Sequence, residues 1–157
     1  MASPVNPESF GFLVTDVARL VRSEMDRRIS DAGLGLTAME ARTLTHAARA
    51  GAVRQTVLAE RLGVDAMTLS VHLDRLEARG LVQRKPDPDD RRANHIHLTP
   101  EADALLLAMQ PVGASLRVDA SAGFETDEWE AFLTMLKRVR ANISAVKSGL
   151  RKEELTQ

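Results

Sequence analysis

Residues 66–79 carry side chains whose types and spacing suit contact with the edges of DNA bases. A helix over this stretch places Leu69, Leu73 and Leu76 on one apolar stripe. The rest of its surface carries a mixed set of side chains: Met67, Thr68, Ser70, Val71, His72, Asp74 and Arg75. Taken alone, the pattern fits either a DNA-reading helix or an ordinary amphipathic helix with a solvated outer face.

We predict distinct contacts for this outer face on duplex DNA. Arg75 is best suited to bidentate hydrogen bonding with guanine. Asp74 would repel phosphate unless it accepts a hydrogen bond from cytosine or pairs with Arg75 or Arg79. The residues expected to reach base edges are Met67, Ser70, Val71 and Arg75, and those expected to flank them towards phosphates are Thr68 and His72.

A second group of basic residues lies in and beside a polar, proline-punctuated stretch, residues 85–92. Short strands are predicted over residues 81–84 and 93–98, so the stretch between them is a hairpin loop. We expect Arg92 to enter the minor groove, with Asp90 holding its guanidinium group in a charge-assisted pair. Arg84 and Arg91 complete the DNA-binding residues predicted for this hairpin.

The elements that would position both groups are readable in the surrounding sequence. A helix is predicted over residues 55–62, and Gly63 ends it. Asp65 is a good N-cap for the following helix, which Gly80 stops. Two short helices joined by a glycine-bearing turn form a helix-turn-helix, and the basic hairpin makes it a winged helix. The alternatives are a winged-helix protein–protein interaction module without DNA readout and, with less support, an enzyme.

Helices are also predicted before the winged unit. Residues 6–8, Asn-Pro-Glu, have the composition of a helix start, and the helix is expected to run to about Ala32. Thr37 and Glu40 have the spacing of a capping box for a second helix that ends near Arg49.

Two further helices are predicted after the winged unit. The first starts at Thr99 and Pro100 and is expected to bend near Pro111. Thr126 is expected to cap the last helix, whose apolar residues alternate by three and four: Trp129, Phe132, Leu136, Val139, Ile143, Val146 and Leu150. Such a seam is typical of a coiled coil. It either packs within the chain against the preceding helix or, with the first helix, forms a homodimer interface.

Composition limits the classes of function. The chain has 157 residues, a net charge of −1 and no cysteine, which excludes disulfides and thiolate catalysis. No apolar run reaches transmembrane length and no signal peptide is recognisable, so we expect a cytoplasmic protein without membrane partners. Four basic residues cluster at the hairpin, namely Arg84, Lys85, Arg91 and Arg92. This modest, focused basic cluster favours site-specific contacts over general coating of a duplex.

Residues 58–101 resemble the MarR (multiple antibiotic resistance regulator) family of bacterial transcription regulators. The matching stretches are LAERLGV (58–64), LDRLEARGLV (73–82), DPDDRRA (87–93) and HLT (97–99). The resemblance implies a dimeric winged-helix repressor or activator that binds a two-fold operator in double-stranded DNA. It also implies release by a small phenolic or carboxylate effector. Ala102 departs from the glycine common in the family, and without cysteine the thiol-oxidation switch of one branch is impossible.

The expected fold class is mainly α with a small β-hairpin wing (α+β). One domain, 1–157, is predicted, in which residues 1–36 and 99–157 form a helical dimerisation region and residues 37–98 form the DNA-binding lobe. The resemblance places an effector between the first two helices and that lobe. Arg19 and His46 are its predicted ligand-binding residues, and the alternative is that both are surface residues.

Other chemistry is set aside. His95 and His97 lie two apart on a predicted strand, but no cysteine or nearby carboxylate completes a metal site. The acidic loop residues Asp87, Asp89 and Asp90 lack the glycine and terminal glutamate of a calcium loop. No catalytic residue, metal or cofactor is therefore predicted.

Overall fold

The computed structural model describes residues 5–154, and the side chains of residues 5–147. The chain divides into two compact units, the first ending at Leu116 and the second beginning at Arg117. The ends of the predicted domain, 1–157, lie outside the described residues. The predicted seam residue Leu150 lies outside the described side chains.

The described fold is mainly helical with one small antiparallel sheet, as predicted. The elements of the first unit follow in the order α1 (Phe10–Asp31), α2 (Ala38–Ala50), β1 (Val53–Arg54), α3 (Gln55–Leu62), α4 (Ala66–Ala78), β2 (Val82–Pro86), β3 (Asn94–Leu98) and α5 (Pro100–Ala120). The last turn of α5 belongs to the second unit, which continues into α6 (Thr126–Glu154). No helix among residues 5–154 is long and apolar enough to cross a membrane.

The winged unit contains the predicted hairpin and one strand that the sequence pattern does not predict. Strand β3 pairs with β2 on one side and with β1 on the other, so the sheet order is β1-β3-β2. Ile96 stands opposite Arg84 in one pairing and opposite Val53 in the other. Because β1 has only two residues, it shows no alternation that a sequence pattern can reveal.

The core of the first unit lies between α2, α3, α4 and the sheet. The apolar stripe predicted for α4 is confirmed, because Leu69, Leu73 and Leu76 are fully buried. They pack with Leu44, Leu58, Val82 and Ile96. Replacing one such leucine by alanine typically costs about 2–5 kcal/mol, so this cluster fixes α4 in its place.

Local hydrogen bonds cap the N-terminal ends of α2 and α4. The capping box predicted for α2 is confirmed: the Thr37 hydroxyl accepts from the Glu40 N–H, and the Glu40 carboxylate accepts from the Thr37 N–H. Asp65 caps α4 as predicted, by accepting the Thr68 N–H at 2.8 Å. Gly63, with φ of 68°, makes the turn between α3 and α4 in the left-handed region that favours glycine.

Two predicted helix starts, those of α1 and α6, are wrong in detail. Helix α1 begins at Phe10 after Ser9, because residues 6–9 form a turn in which the Asn6 carboxamide oxygen accepts the Glu8 N–H. The start predicted for α5 is confirmed, because Pro100 is its first residue. The Thr99 hydroxyl does not cap this helix but donates to the Gly80 carbonyl at 2.6 Å, which links the segments that follow α4 and β3.

In the second unit, Thr126 is the first residue of α6 rather than its cap. The Glu125 carbonyl accepts the Trp129 N–H, and the Glu128 carboxylate accepts the Glu125 N–H.

Helix α5 runs through Pro111, in the first unit, without a break, although proline has no N–H to donate there.

Candidate nucleic-acid interface

The outer face of α4 is the first part of the candidate interface. Met67 is 79% exposed, and Val71 and Arg75 are also exposed. The Arg75 guanidinium makes no ion pair or side-chain hydrogen bond with any residue of the described structure. These three side chains therefore lie where readout of base edges was predicted.

Other predicted residues of α4 are less available. The Thr68 hydroxyl donates to the Asp65 carboxylate at 2.6 Å, so it is part of the helix cap. This hydroxyl, followed by the Thr68 backbone N–H, lowers the pKa of Asp65. His72 is half-buried, and its Nδ1 is buried without a hydrogen-bond partner within the described residues. Ser70 is also half-buried and accepts from Arg84.

Asp87 is the centre of the wing loop, a role that was not predicted for it. Its carboxylate accepts the backbone N–H groups of Asp89 and Asp90 at 2.8 and 3.1 Å. It also accepts from Arg54 Nε at 2.6 Å and lies 2.8 Å from His95 Nε2. The side chain is only 2% exposed. The loop conformation between β2 and β3 is therefore built around one buried carboxylate.

The contacts of Asp87 favour its ionised form. The Asp89 N–H, together with His95, Arg54 and the Asp90 N–H, lowers its pKa from 3.8 to about 2, although burial acts in the opposite direction. The run Asp-Pro-Asp-Asp is a sequence signal for such a turn, since aspartate commonly accepts backbone N–H groups two residues on. Arg54 and His95 carry no comparable signal.

The wing tip exposes Arg91 and Arg92, as the DNA-binding prediction requires. The predicted pair between Asp90 and the Arg92 guanidinium is absent from the described structure. Instead the Asp90 carboxylate accepts the Arg92 backbone N–H at 3.0 Å. Asp90 therefore stabilises the turn that carries Arg92 and does not bind the Arg92 guanidinium group.

Arg84, which was predicted to bind DNA, is largely covered in the described structure. Its side chain is 17% exposed and is paired with two acidic residues of α4, Asp74 and Glu77. Asp74 therefore pairs with Arg84 rather than with Arg75 or Arg79. Arg79 donates instead to the Gly35 carbonyl at 2.8 Å and lies 3.9 Å from the Glu40 carboxylate.

His95 and His97 lie two apart on β3, and His95, contrary to the expectation from the sequence, has a nearby carboxylate, that of Asp87. Their rings stack at 6.4 Å, and His95 is bonded to Asp87. Residues 5–154 contain no group of three or more potential ligands placed to hold a metal ion. Burial lowers the pKa of His97, with smaller contributions from Lys85 and His95.

A cavity of about 960 Å³ lies in the first unit between α1, α2 and α5. Its wall includes apolar side chains such as Val21, Met25, Ile29 and Met109. Its charged and titratable side chains are Arg22, Asp26, Arg42, His46 and Arg49.

Two features of this cavity concern its polar groups. Arg42 Nε and an Asp26 carboxylate oxygen are 3.5 Å apart, and neither atom has a hydrogen-bond partner within the described structure. Burial lowers the pKa of His46, and nearby guanidinium groups, Arg49 first, lower it further. The cavity thus combines an arginine that is loosely paired with Asp26 and a histidine whose pKa is lowered.

The structure does not bring the two predicted effector residues together. His46 lines the cavity, whereas Arg19 lines an adjoining groove along α1 and lies 3.5 Å from Asp16. Arg22 and Arg42, which no sequence pattern singled out, occupy the cavity instead.

Both long terminal helices expose apolar side chains in the described structure. On α1 these are Phe10, Phe12, Leu13, Val14, Val17, Leu20 and Val21. On α6 they are Met135, Leu136, Ile143 and Val146, while Trp129 and Phe132 form an aromatic cluster with Phe124. Apolar faces of this extent are typical of association surfaces.

Comparison with known proteins supports a family assignment. The sequence model of the MarR family matches residues 34–93. Transcriptional regulator PA3341, whose crystal structure is known, has 39% sequence identity to this chain. The alignment covers 87% of this chain and 99% of that chain, with a TM-score of 0.68. Wild-type MarR from E. coli, in the crystal structure of its apo form, has 27% sequence identity to this chain. The alignment covers 86% of this chain and 98% of MarR, with a TM-score of 0.71.

A third similar structure concerns regulation by a ligand. Bordetella bronchiseptica BpsR, whose DNA binding is regulated by 6-hydroxynicotinic acid, is 25% identical to this chain. The alignment covers 88% of this chain and 98% of BpsR, with a TM-score of 0.66.

Proposed function

Because this chain belongs to the MarR family of winged-helix, DNA-binding transcription regulators, we propose that it is a repressor that binds a pseudo-palindromic operator as a homodimer. The observation that carries the proposal is the joint exposure of Arg75 on α4 and of Arg91 and Arg92 at the wing tip. A recognition helix in the major groove and a basic tip in the adjacent minor groove would use these side chains.

The homodimer is supported by the exposed apolar faces of α1 and α6. Burying such faces against a second copy is favourable by roughly 25 cal/mol for each Å² of apolar surface removed from water. A two-fold dimer presents two copies of α4, which matches half-sites spaced by about one helical turn of DNA, roughly 34–36 Å.

The same proposal includes release from DNA by a small aromatic carboxylate or phenolate in the cavity between α1, α2 and α5. Its volume is within the usual range of ligand pockets, about 300–1,000 Å³. Apolar walls suit a ring, and the guanidinium groups of Arg22, Arg42 and Arg49, which line the cavity, suit charge-assisted hydrogen bonds to an anion.

A route from this cavity to α4 runs through the start of α2. Ala38 and Ala41 line the cavity, and Glu40 between them forms the capping box of α2. Arg79, at the end of α4, bonds Gly35 and lies near Glu40. A ligand that shifts α2 would therefore shift α4, and release requires the ligand to favour the DNA-free conformation, typically by about 1–3 kcal/mol.

The proposal is tested by selection of duplexes from a randomised DNA pool, followed by affinity measurements on the enriched sequence. The expected result is an inverted repeat whose half-sites are separated by about 10–10.5 base pairs. Enrichment of no sequence above the starting pool would contradict the proposed function.

A further inference from the structure

Arg84 projects from β2 to the point where β2, α3 and α4 meet. Its Nη2 lies 2.7 Å from the Asp74 carboxylate and 3.1 Å from the Ser70 carbonyl oxygen. Its Nη1 lies 2.7 Å from Glu77, whose other carboxylate oxygen accepts the Arg84 backbone N–H at 3.0 Å. Its Nε donates to the Gln55 side chain at 3.4 Å. Each guanidinium nitrogen therefore has a partner within the winged unit.

The partners on α4 follow one line along the helix, since positions 70, 74 and 77 have helical spacing. Asp74 is 65% exposed and is the sequence neighbour of Arg75. Without a nearby cation, Asp74 and Glu77 would place two negative charges beside the face proposed to approach phosphates. Arg84 supplies the opposing charge from below this face.

A direct phosphate contact by Arg84 conflicts with this geometry. The side chain is largely covered, and a phosphate would have to replace two carboxylates that already accept charge-assisted hydrogen bonds at 2.7 Å. The planar fork of arginine can serve Asp74 and Glu77 at once, which the single ammonium group of lysine cannot do with the same geometry.

We propose that Arg84 is a positioning residue for DNA readout, which locks strand β2 of the wing to the recognition helix α4. The lock holds Arg75 and the wing-tip arginines at a fixed separation, so that the two grooves are engaged in register. Arg84 itself contacts neither base nor phosphate. This inference rests on the proposed DNA-binding function.

The test compares Arg84→Lys, Arg84→Gln and the wing-tip control Arg91→Ala. Affinity is measured on the duplex that the wild-type protein selects and on a scrambled duplex of equal length, over a range of salt concentrations. Both Arg84 variants should bind the selected duplex about ten- to a hundredfold more weakly, since charged hydrogen bonds are lost. The affinity of Arg84→Lys for the scrambled duplex and its salt slope should not change. Arg84→Gln leaves Asp74 and Glu77 without their cation, so it should also bind the scrambled duplex more weakly, although by less than it loses on the selected duplex.

Arg91→Ala should behave differently, because it removes a cation at the exposed tip. Its affinity should fall on both duplexes, and its salt slope should become shallower by about 0.9 for each phosphate that the protein no longer neutralises. Arg84→Lys distinguishes the two roles directly. It keeps the positive charge that a phosphate contact needs but loses the fork that positioning needs.

Asp74→Asn removes the ion pair between Asp74 and Arg84 by changing its exposed partner. It tests the same role if an Arg84 variant does not fold. It should also lose affinity for the selected duplex only. The double variant of Asp74→Asn with Arg84→Gln should lose no more than Arg84→Gln alone, because the two side chains act as one unit. Amide hydrogen exchange without DNA should be faster in β2 of these variants and unchanged in the core.

Three outcomes for Arg84→Lys would overturn the role of Arg84: full affinity for the selected duplex, equal losses on both duplexes, or a salt slope reduced as in Arg91→Ala. Each of these outcomes would mean that Arg84 either contacts phosphate or has no influence on sequence readout. If the wild-type protein selects no duplex, the proposed function fails, and this role fails with it. A selected wild-type duplex with unaffected Arg84 variants leaves the proposed function standing.

Discussion

At the residue scale, the wing depends on single side chains with separate duties. Asp87 and Asp90 accept backbone N–H groups and set the loop, whereas Arg91 and Arg92 stay exposed at its tip. The acidic residues of the wing therefore shape the backbone, and its basic residues remain available for the minor groove.

Arg92→Ala should weaken binding to every DNA sequence by a similar factor, because a minor-groove arginine adds charge with little base discrimination. The salt slope should become shallower by about 0.9 for each phosphate that Arg92 neutralises in the wild-type complex. Titrations of selected and scrambled duplexes at several salt concentrations measure both effects. Asp90→Ala, which removes the acceptor of the Arg92 N–H, should give a smaller loss of the same kind. Unchanged affinity of Arg92→Ala at moderate salt would exclude this role.

Asp87 should make the stability of the protein sensitive to strong acid. Its pKa is about 2 in the folded chain against an ordinary value of 3.8. Because the folded pKa is the lower one, its stabilising contribution is complete above about pH 4 and is lost as the pH falls towards 2. Urea unfolding at pH 5 and pH 3 should show a smaller pH-dependent loss for Asp87→Asn than for the wild type. Asp89→Asn, at an exposed loop position, is the control and should behave as the wild type.

At the element scale, the helices were predictable because their signals are local. The stripe of α4, the Asp65 cap and the capping box of α2 all depend on steps of no more than four positions along the chain. The proline-containing loop between two alternating segments identified the wing for the same reason.

The features that the sequence does not reveal join residues that are far apart along the chain. Arg54 reaches Asp87 across 33 positions, and Arg84 reaches Gln55 across 29. No rule of sequence spacing predicts such pairs. Arg84 was singled out from the sequence only because it is basic and lies beside the hairpin, and no sequence feature singled out Arg54. The same limit explains the effector residues: helical faces do not reveal that Arg42, rather than Arg19, lines the cavity with His46.

The cavity between α1, α2 and α5 gives a prediction that separates these two arginines. Arg42→Gln should weaken release of DNA by salicylate by about tenfold, since a charge-assisted hydrogen bond to the carboxylate is lost. Arg19→Gln, outside the cavity, should respond to salicylate as the wild type does. Titration of the protein–DNA complex with salicylate measures both variants. Loss of response in Arg19→Gln alone would place Arg19 in the effector site and remove Arg42 from it.

At the scale of the whole molecule, the chain is nearly neutral, with a net charge of −1. Attraction to DNA therefore depends on where its cations lie rather than on total charge. A homodimer doubles each basic group without new sequence. The exposed apolar face of α1 is consequently as important to the proposed function as the wing.

Val17→Glu places a charge in the middle of that apolar face and should shift the protein from dimer to monomer. Burial of an unpaired carboxylate in a dimer interface is strongly unfavourable. Sedimentation velocity at several protein concentrations measures the shift, with Gln83→Glu on the exposed side of β2 as the control. Specific DNA affinity should fall together with the dimer. A Val17→Glu protein that sediments as the wild type does would remove α1 from the interface.

The link from Arg54 to Asp87 bears on how this wing could be transplanted. A graft of residues 82–98 into another winged-helix protein would carry Asp87 and His95 but leave Arg54 behind on β1. The recipient would receive the loop sequence without one of the cations that holds its central carboxylate. A chimaera that preserves the shape of the tip must therefore begin its borrowed segment before Arg54 and include α3 and α4.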